Sequence, residues 1–204
     1  MPAFAGMTTM LAPKILVIPG SLRPSSHNSR LAALMAKELA LAGADVTRIS
    51  LIDYPLPLFD AEMTAEVGPP QNAVQLQRML TAHHGVFISS PEYNASVTPV
   101  LINTIDWLSR ARARGGPTYE VFQGRVFAIG AASSSTTGGL RSLAALRQIL
   151  EHGCGALVLP QEIAVANANT AFDDMDNLKD EDLSSALKAL VRRLIGMARN
   201  VGGV

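Results

Sequence analysis

Short apolar runs without polar alternation recur along the chain, and they limit its possible folds more than any other feature. Runs of this kind lie at residues 14–19, 86–90, 126–132 and 156–159. They are typical of parallel strands that helices cover on both faces. Between them, apolar side chains return at helical spacing. The alternation of the two patterns predicts an α/β fold.

The order of the predicted elements indicates how the sheet is wound. A further strand is expected at 44–50 and a closing helix over the apolar stripe at 183–195, so that βα units follow one another without a repeat or linker. The prolines at 54–58 predict a long loop there, and the fifth strand is predicted to end at Leu159. We expect a doubly wound, five-stranded parallel sheet of flavodoxin-like order 2-1-3-4-5, with helices on both faces.

The length of 204 residues suits one α/β domain of ordinary size. We predict a single domain over residues 14–200, preceded by a flexible extension at 1–13. This extension lacks the basic region and the apolar length of a secretory signal. The longest apolar runs also fall short of the roughly 20 residues needed to cross a bilayer, so no membrane span is expected.

Charge and cysteine content narrow the class of partner. The 17 basic and 17 acidic residues cancel, so no global field favours nucleic acid or an anionic membrane surface. Cys154 is the single cysteine, which excludes an intrachain disulfide or a cysteine-based metal site. These observations favour a small-molecule partner and a reducing, cytoplasmic location.

The first loop, residues 20–28, follows the first predicted strand and opens a helix. It carries the hydroxyls of Ser21 and Ser26, the amide of Asn28 and the cation of Arg23. Free N–H groups at a helix N-terminus bind anions, and the glycine signatures of dinucleotide and triphosphate loops are absent. The loop therefore favours a terminal monophosphate, and an ordinary serine-rich helix cap is the alternative.

The second loop, residues 91–99, would lie beside the first in the expected strand order. Pro91 and Asn94 are suited to a sharp turn, while Tyr93 and Ser96 offer contacts to a planar, polar ring system. The alternative is a capped turn whose side chains satisfy only local backbone groups.

The third loop, residues 131–139, runs from the fourth strand into a helix. Small residues and the glycines 138 and 139 would permit close approach to a flat ligand. A flexible polar connector is one alternative. A serine nucleophile is another, although G-x-S-x-G is absent and His27 is the one histidine in these loops.

Motifs at four places follow one another in this βα alternation: Gly20-Ser21-Leu22-Arg23 with Ser26 and Asn28; Pro91-Glu92-Tyr93-Asn94 with Ser96; Asn103 with Ile105-Asp106-Trp107; and Gly138-Gly139-Leu140-Arg141. Together they resemble the NAD(P)H-dependent FMN reductase family, which includes quinone, chromate and azo-dye reductases. The resemblance extends from about Lys14 to Leu159. It implies bound FMN, NADPH or NADH as co-substrate, a small-molecule electron acceptor, and a homodimer or homotetramer with the flavin near a subunit interface.

The resemblance also implies which residues bind the cofactor. Those expected at the phosphate are Ser21, Arg23, Ser26, His27 and Asn28; those along the isoalloxazine ring are Pro91, Glu92, Tyr93, Asn94 and Ser96; those at its other edge are Ser133, Ser134, Gly138 and Gly139. Relatives often have lysine where this chain has Ile102 and an aromatic residue where it has His27. The chemistry belongs to the flavin, so no catalytic side chain is expected.

Other residues have simpler interpretations. Glu92 is expected to be solvated or locally paired, Trp107 to pack, and Cys154 to be a buried apolar group. No metal is expected, because His83 and His84 lack ligand partners at a suitable spacing. The cluster Arg110, Arg112 and Arg114 suits either the NADPH 2′-phosphate or a solvated loop that faces an oligomer partner.

One rival function shares the cofactor. A flavodoxin-like carrier would bind FMN but take electrons from protein partners, and such docking usually depends on a strong charge field. The zero net charge favours the enzyme.

Overall fold

The computed structural model describes residues 11–110 and 119–203. Its strands are β1 (Lys14–Pro19), β2 (Asp45–Arg48), β3 (Gly85–Ser89), β4 (Val126–Ala132) and β5 (Leu157–Val165). Its helices are α1 (His27–Leu41), α2 (Ala61–Val67), α3 (Gln71–Ala82), α4 (Pro99–Arg110), α5 (Leu140–Gln148) and α6 (Glu181–Gly202). A π-helical turn, Ile149–Gly153, extends α5.

The strands form one parallel sheet in the order β2-β1-β3-β4-β5, which confirms the predicted winding. Successive residues of β1 alternate between two buried layers. Ile15 and Val17 pack with α1 and α6 on one face, whereas Leu16 and Ile18 pack with α3, α4 and α5 on the other. Burial on both faces explains why the strand sequences lack polar alternation.

Strand β5 is longer than predicted. It continues from Leu157 to Val165 past a bulge, because Phe127 pairs with Val158 whereas Ile129 pairs with Glu162. Pro160 lies in the additional part of the strand. Because proline has no N–H to donate to a strand ladder, its position in the sequence suggested that the strand ends before it. The predicted end at Leu159 was therefore wrong.

Helix α2 was not predicted within the long loop after β2. Asp60 caps it by accepting hydrogen bonds from the N–H groups of Glu62 and Met63. None of its residues is buried, so it has no apolar stripe from which periodicity could reveal it.

The remaining predictions on organisation concern the ends and a possible membrane span. Residues 1–10 of the predicted extension lie outside the described residues, and the single domain at 14–200 stays a prediction. Within residues 11–110 and 119–203, no helix combines the length and apolar character needed to span a membrane.

Candidate functional site

The carboxyl ends of β1, β3 and β4 are adjacent in the sheet, so the three predicted loops begin side by side. The Gly20 N–H donates to the Ser89 carbonyl at 2.7 Å, which joins the first loop to the end of β3. The Ser90 N–H donates to the Gly130 carbonyl at 2.8 Å and joins the second loop to β4. The expected gathering of the loops at one sheet edge is present.

The first loop ends in a capped helix N-terminus. The Ser26 Oγ accepts a hydrogen bond from the Ser29 N–H at 3.0 Å, which defines the first residue of α1 as His27. The N–H groups of His27 and Asn28 have no acceptor within the helix, because the residues four positions before them precede the helix and their carbonyls are not part of its hydrogen-bond ladder. The helix start therefore offers donors and partial positive charge to an anion.

Arg23 lies exposed in the turn before this cap. Its N–H donates to the Ser21 Oγ at 3.2 Å, and its carbonyl accepts from the Ser26 N–H at 3.1 Å. Within the described ranges, no carboxylate lies within 4 Å of its guanidinium. The loop is held together by its own hydrogen bonds, and the Arg23 guanidinium is accessible to a ligand or to solvent.

Asn28 has a different environment from the other predicted phosphate residues. It is 2% exposed, its amide donates to the Ala132 carbonyl at 2.8 Å, and its side-chain oxygen accepts from the Ala132 N–H at 3.0 Å. The Ser89 hydroxyl donates to the Asn28 carbonyl at 2.9 Å. The Asn28 side chain thus joins the start of α1 to the end of β4.

The second loop contains a tight turn between Tyr93 and Ser96, whose N–H and carbonyl groups bond each other in both directions at 3.0 Å. Asn94 and Ala95 occupy this turn with φ of 50° and 60°. Positive φ at both central residues is the pattern of a type I′ turn, and asparagine adopts it with little strain. The predicted sharp turn at Asn94 is present and leaves Tyr93 exposed.

Thr98 connects the second loop to the first. Its hydroxyl donates to the Gly20 carbonyl at 2.7 Å, and its Oγ1 accepts from the Leu101 N–H at 3.3 Å. It therefore caps α4, with Pro99 in the first turn, where proline is favoured. The additional contact with Gly20 could not be found from local sequence.

The third loop depends on its two glycines for packing within the protein. Gly138 and Gly139 have φ of 63° and 88°. A Cβ on Gly138 would lie 2.9 Å from the Ala166 nitrogen, and one on Gly139 would lie 2.7 Å from the Ala131 Cβ. Neighbouring protein atoms therefore account for both glycines.

The serines of the third loop differ in their surroundings. The Ser133 hydroxyl donates to Ser135 at 3.0 Å, while Ser134 lies exposed. The Ser133 N–H donates to the Val165 carbonyl, so the extended β5 supports this loop.

Glu92 joins the second loop to the start of α5, directly after the third loop. Its carboxylate accepts from the Arg141 side chain at 2.8 Å and from the Arg141 N–H at 3.1 Å. The Glu92 side chain is 10% exposed, whereas that of Arg141 is 63% exposed. A carboxylate on an N–H of the first turn of α5 is also favoured by the helix dipole. Glu92 is therefore paired and not freely solvated, but its partner lies 49 residues away in the chain and is not a local one.

Sequence reasoning missed the segment that follows β5. The His27 Nε2 lies 3.0 Å from the Asn169 side-chain oxygen, and the His27 Nδ1 is buried without a partner. Arg30 pairs with Asp176 at 2.6 Å and lies over the Phe172 ring at 4.6 Å. These partners are more than 140 residues apart in the chain, so no local signal could have found them.

Other residues singled out in the sequence lie away from the three loops. Trp107 is fully buried, meets the Phe59 ring edge to face at 5.0 Å, and donates to the Pro57 carbonyl at 2.8 Å. Cys154 is buried, and burial raises the pKa of its thiol to about 11. The expectations that Trp107 packs and that Cys154 is a buried apolar group are confirmed.

Two further expectations concern the arginine cluster and metal ligands. Arg110 pairs with Asp106 at 2.8 Å, while Arg112 and Arg114 lie outside the described residues. Among the residues that the structure describes, no group of three or more histidine, cysteine or acidic side chains is arranged to hold a metal ion.

Comparison with known proteins gives consistent matches. The model of a family described as NADPH-dependent FMN reductase matches residues 13–170. The chain is 32% identical over 191 residues to an NAD(P)H-dependent FMN reductase of Pseudomonas aeruginosa, which covers 90% of this chain and 97% of that protein. It is 36% identical over 138 residues to a quinone reductase of Escherichia coli, with 67% and 69% covered.

Among solved structures, the chain is similar to FerB, a flavoenzyme NAD(P)H:(acceptor) oxidoreductase of Paracoccus denitrificans. The TM-score is 0.76 at 23% identity, and the match covers 93% of this chain and 98% of that one. This likeness agrees with the strand order described above.

Proposed function

The chain belongs to the NADPH-dependent FMN reductase family, and we propose that it holds FMN in the three loops at the carboxyl edge of the sheet. It is an NAD(P)H-dependent flavoprotein oxidoreductase. Bound FMN would supply two-electron chemistry, with NAD(P)H as hydride donor and a second substrate as electron acceptor. The protein's task is to bind, orient and tune this group.

The observation that carries the placement is the chemistry of the first loop. The start of α1 offers free N–H groups, and the Arg23 guanidinium has no carboxylate within 4 Å in the described parts of the chain. These donors fit the phosphate of FMN. We assign Arg23 and the hydroxyls of Ser21 and Ser26 to direct contact with the phosphate.

His27 and Asn28 take part in another way. Their N–H groups face the anion site at the helix start, while the Asn28 side chain is engaged with Ala132. We propose that the Asn28 amide is a positioning group, which holds the phosphate end of the site against the third loop. We propose that the contact between the His27 ring and the Asn169 side chain also positions the start of α1.

The second and third loops form the remaining sides of the proposed site. The residues that we assign to the isoalloxazine ring are Pro91, Glu92, Tyr93, Asn94 and Ser96 on one side and Ser133, Ser134, Gly138 and Gly139 on the other, with Glu92 and the two glycines contributing their backbone. The Glu92–Arg141 contact fixes the distance between the loops. Because this carboxylate is engaged twice, we assign it a structural role and no proton transfer.

We propose a quinone as the electron acceptor. Tyr93 is 46% exposed and Leu140 is 51% exposed, and each is the chain neighbour of one member of the Glu92–Arg141 pair. Exposed apolar side chains beside the proposed ring site suit a flat, largely apolar acceptor. The relatives named quinone reductase support this choice.

Family membership supports the enzyme over the electron carrier that uses FMN with protein partners. We further propose a homodimer or homotetramer in the cytoplasm. The exposed Leu22, Tyr93 and Leu140 at the same sheet edge are suited to a subunit contact, and the one cysteine is buried and unpaired. Light scattering coupled to size-exclusion chromatography will measure the mass.

The test of the FMN site is a comparison of two arginine variants. Arg23→Met removes the proposed phosphate contact, and Arg192→Met removes an exposed arginine on α6. We expect Arg23→Met to weaken FMN binding about tenfold, as measured by flavin fluorescence, since a charge-assisted contact contributes about 1.5 kcal/mol. Arg192→Met should leave it unchanged. Equal affinities would contradict the phosphate assignment.

The activity test uses the FMN-loaded protein. Oxidation of NADH and NADPH is followed at equal concentrations with 1,4-benzoquinone as acceptor, and a blank without protein gives the spontaneous rate. We expect turnover that depends on the quinone. Nucleotide oxidation with other acceptors but not with the quinone would refute the proposed quinone acceptor without contradicting the proposed FMN site.

A further inference from the structure

Four basic residues meet at the edge of the sheet opposite the proposed FMN site. Lys14 begins β1, His83 and His84 directly precede β3, and Arg125 directly precedes β4. These strands are neighbours in the sheet, so their amino ends bring the basic residues together. We call Lys14, His83, His84 and Arg125 the amino-edge cluster.

Hydrogen bonds hold the backbone of Lys14 and His84 and orient the His84 ring. The His84 N–H donates to the Lys14 carbonyl at 2.9 Å, and the Lys14 N–H donates to the His84 Nδ1 at 3.1 Å. The Val126 N–H donates to the His84 carbonyl at 3.1 Å. Because Nδ1 accepts, the neutral His84 ring carries its proton on Nε2, where it is a hydrogen-bond donor.

Arg125 is the least satisfied member of the cluster. It is 8% exposed, its Nε makes a long contact of 3.4 Å to the His83 carbonyl, and its Nη1 is buried without a partner. A buried guanidinium normally has an anionic partner, since desolvation of an unpaired charge is costly.

No carboxylate of the described residues lies within 4 Å of a cationic group in the cluster. Burial lowers the pKa of Arg125, and Glu120 opposes this only from a distance. Burial also lowers the pKa of His84, and Lys14, His83 and Arg125 lower it further. Among the described residues, therefore, no acid forms an ion pair that would balance the positive charge at this edge.

We propose that the amino-edge cluster binds a small tetrahedral oxyanion, a phosphate ion or the phosphate group of a small metabolite. A guanidinium fork, an ammonium point charge and an imidazole N–H together suit such an anion. The donors are the Arg125 guanidinium, the Lys14 Nζ and the His84 Nε2. This site is separate from the FMN site, and the proposal does not depend on that assignment.

The test titrates the FMN-loaded protein with inorganic phosphate, with sodium chloride at equal ionic strength as the control. We expect a saturable rise in Tm of about 3 °C at tenfold excess over Kd. The pKa of His84, followed by NMR of its imidazole, should rise on phosphate binding because an anion favours the charged ring. The visible flavin spectrum should stay constant, which excludes displacement of FMN as the cause.

Two variants locate the effect. Arg125→Met keeps the apolar stem but removes the guanidinium, and we expect both responses to phosphate to disappear. Arg192→Met is the matched control and should respond like the unchanged protein. Lys14→Met keeps the backbone contacts to His84 and should weaken phosphate binding several-fold, which provides a second measurement if Arg125→Met fails to fold.

The outcomes separate the possibilities. Glycerol 2-phosphate as effective as inorganic phosphate identifies a phosphate group on a larger molecule, and a response to inorganic phosphate alone identifies the free ion. No saturable response beyond that of chloride would overturn the proposal. A full response in both Arg125→Met and Lys14→Met would overturn it as well.

Discussion

Replacement of Asn28 by alanine should show how much one buried amide contributes to the site. The Asn28 side chain is 2% exposed and makes two hydrogen bonds to the backbone of Ala132, which is 4% exposed. Asn28→Ala removes both bonds and leaves a buried N–H and a buried carbonyl unpaired. At about 1–3 kcal/mol for each unsatisfied group, we expect unfolding free energy to fall by about 3 kcal/mol.

Guanidinium chloride unfolding of the apoprotein, followed by far-UV circular dichroism, will measure this change without a contribution from flavin affinity. Asn72→Ala is the matched control. Its amide donates to the Pro55 carbonyl at 2.8 Å but is exposed, so a loss of about 0.5 kcal/mol is expected. A fall in unfolding free energy of less than about 1 kcal/mol for Asn28→Ala would refute the assigned role of the two Asn28–Ala132 hydrogen bonds.

Three further predictions test other contacts. Gly139→Ala should lower the free energy of unfolding by about 2 kcal/mol in thermal unfolding, because φ is 88° and the new Cβ would lie 2.7 Å from the Ala131 Cβ. Gly43→Ala is the control: its φ is 85° but the space around it is open, so the free energy of unfolding should fall by only about 1 kcal/mol. Cys154 should react with iodoacetamide at pH 8 about 100-fold more slowly in the native protein than after unfolding, because its pKa is raised to about 11; equal rates would contradict its burial. Glu92→Gln should lower stability by about 0.5 kcal/mol at low salt and less in 1 M sodium chloride, because Arg141 is largely exposed; a difference unaffected by salt would rule out the charge contribution.

The winding of the sheet was predictable from sequence because each part of it has a local cause. Strands buried on both faces need continuous apolar runs, and the runs at 14–19 and 126–132 coincide with β1 and β4. The first, second and third loops were likewise recognisable, since helix caps and turns depend on near neighbours. Ser26 and Thr98 cap helices that begin at the next residue, and Asn94 forms a turn with its direct neighbours.

Some elements were hidden because their stability is not local. Helix α2 buries none of its residues, and β5 passes Pro160 by a bulge that only its pairing with β4 defines. Periodicity and proline rules therefore gave no signal for the first and a misleading one for the second.

The sequence by itself determined which residues gather at the carboxyl edge, because strand order places the loops there. Tertiary structure alone decided what each of them does. Asn28 has the same local sequence whether it contacts a phosphate or a strand, and Glu92 finds Arg141 only across 49 residues. Such roles depend on contacts between distant segments, and those contacts form only when the sheet is assembled.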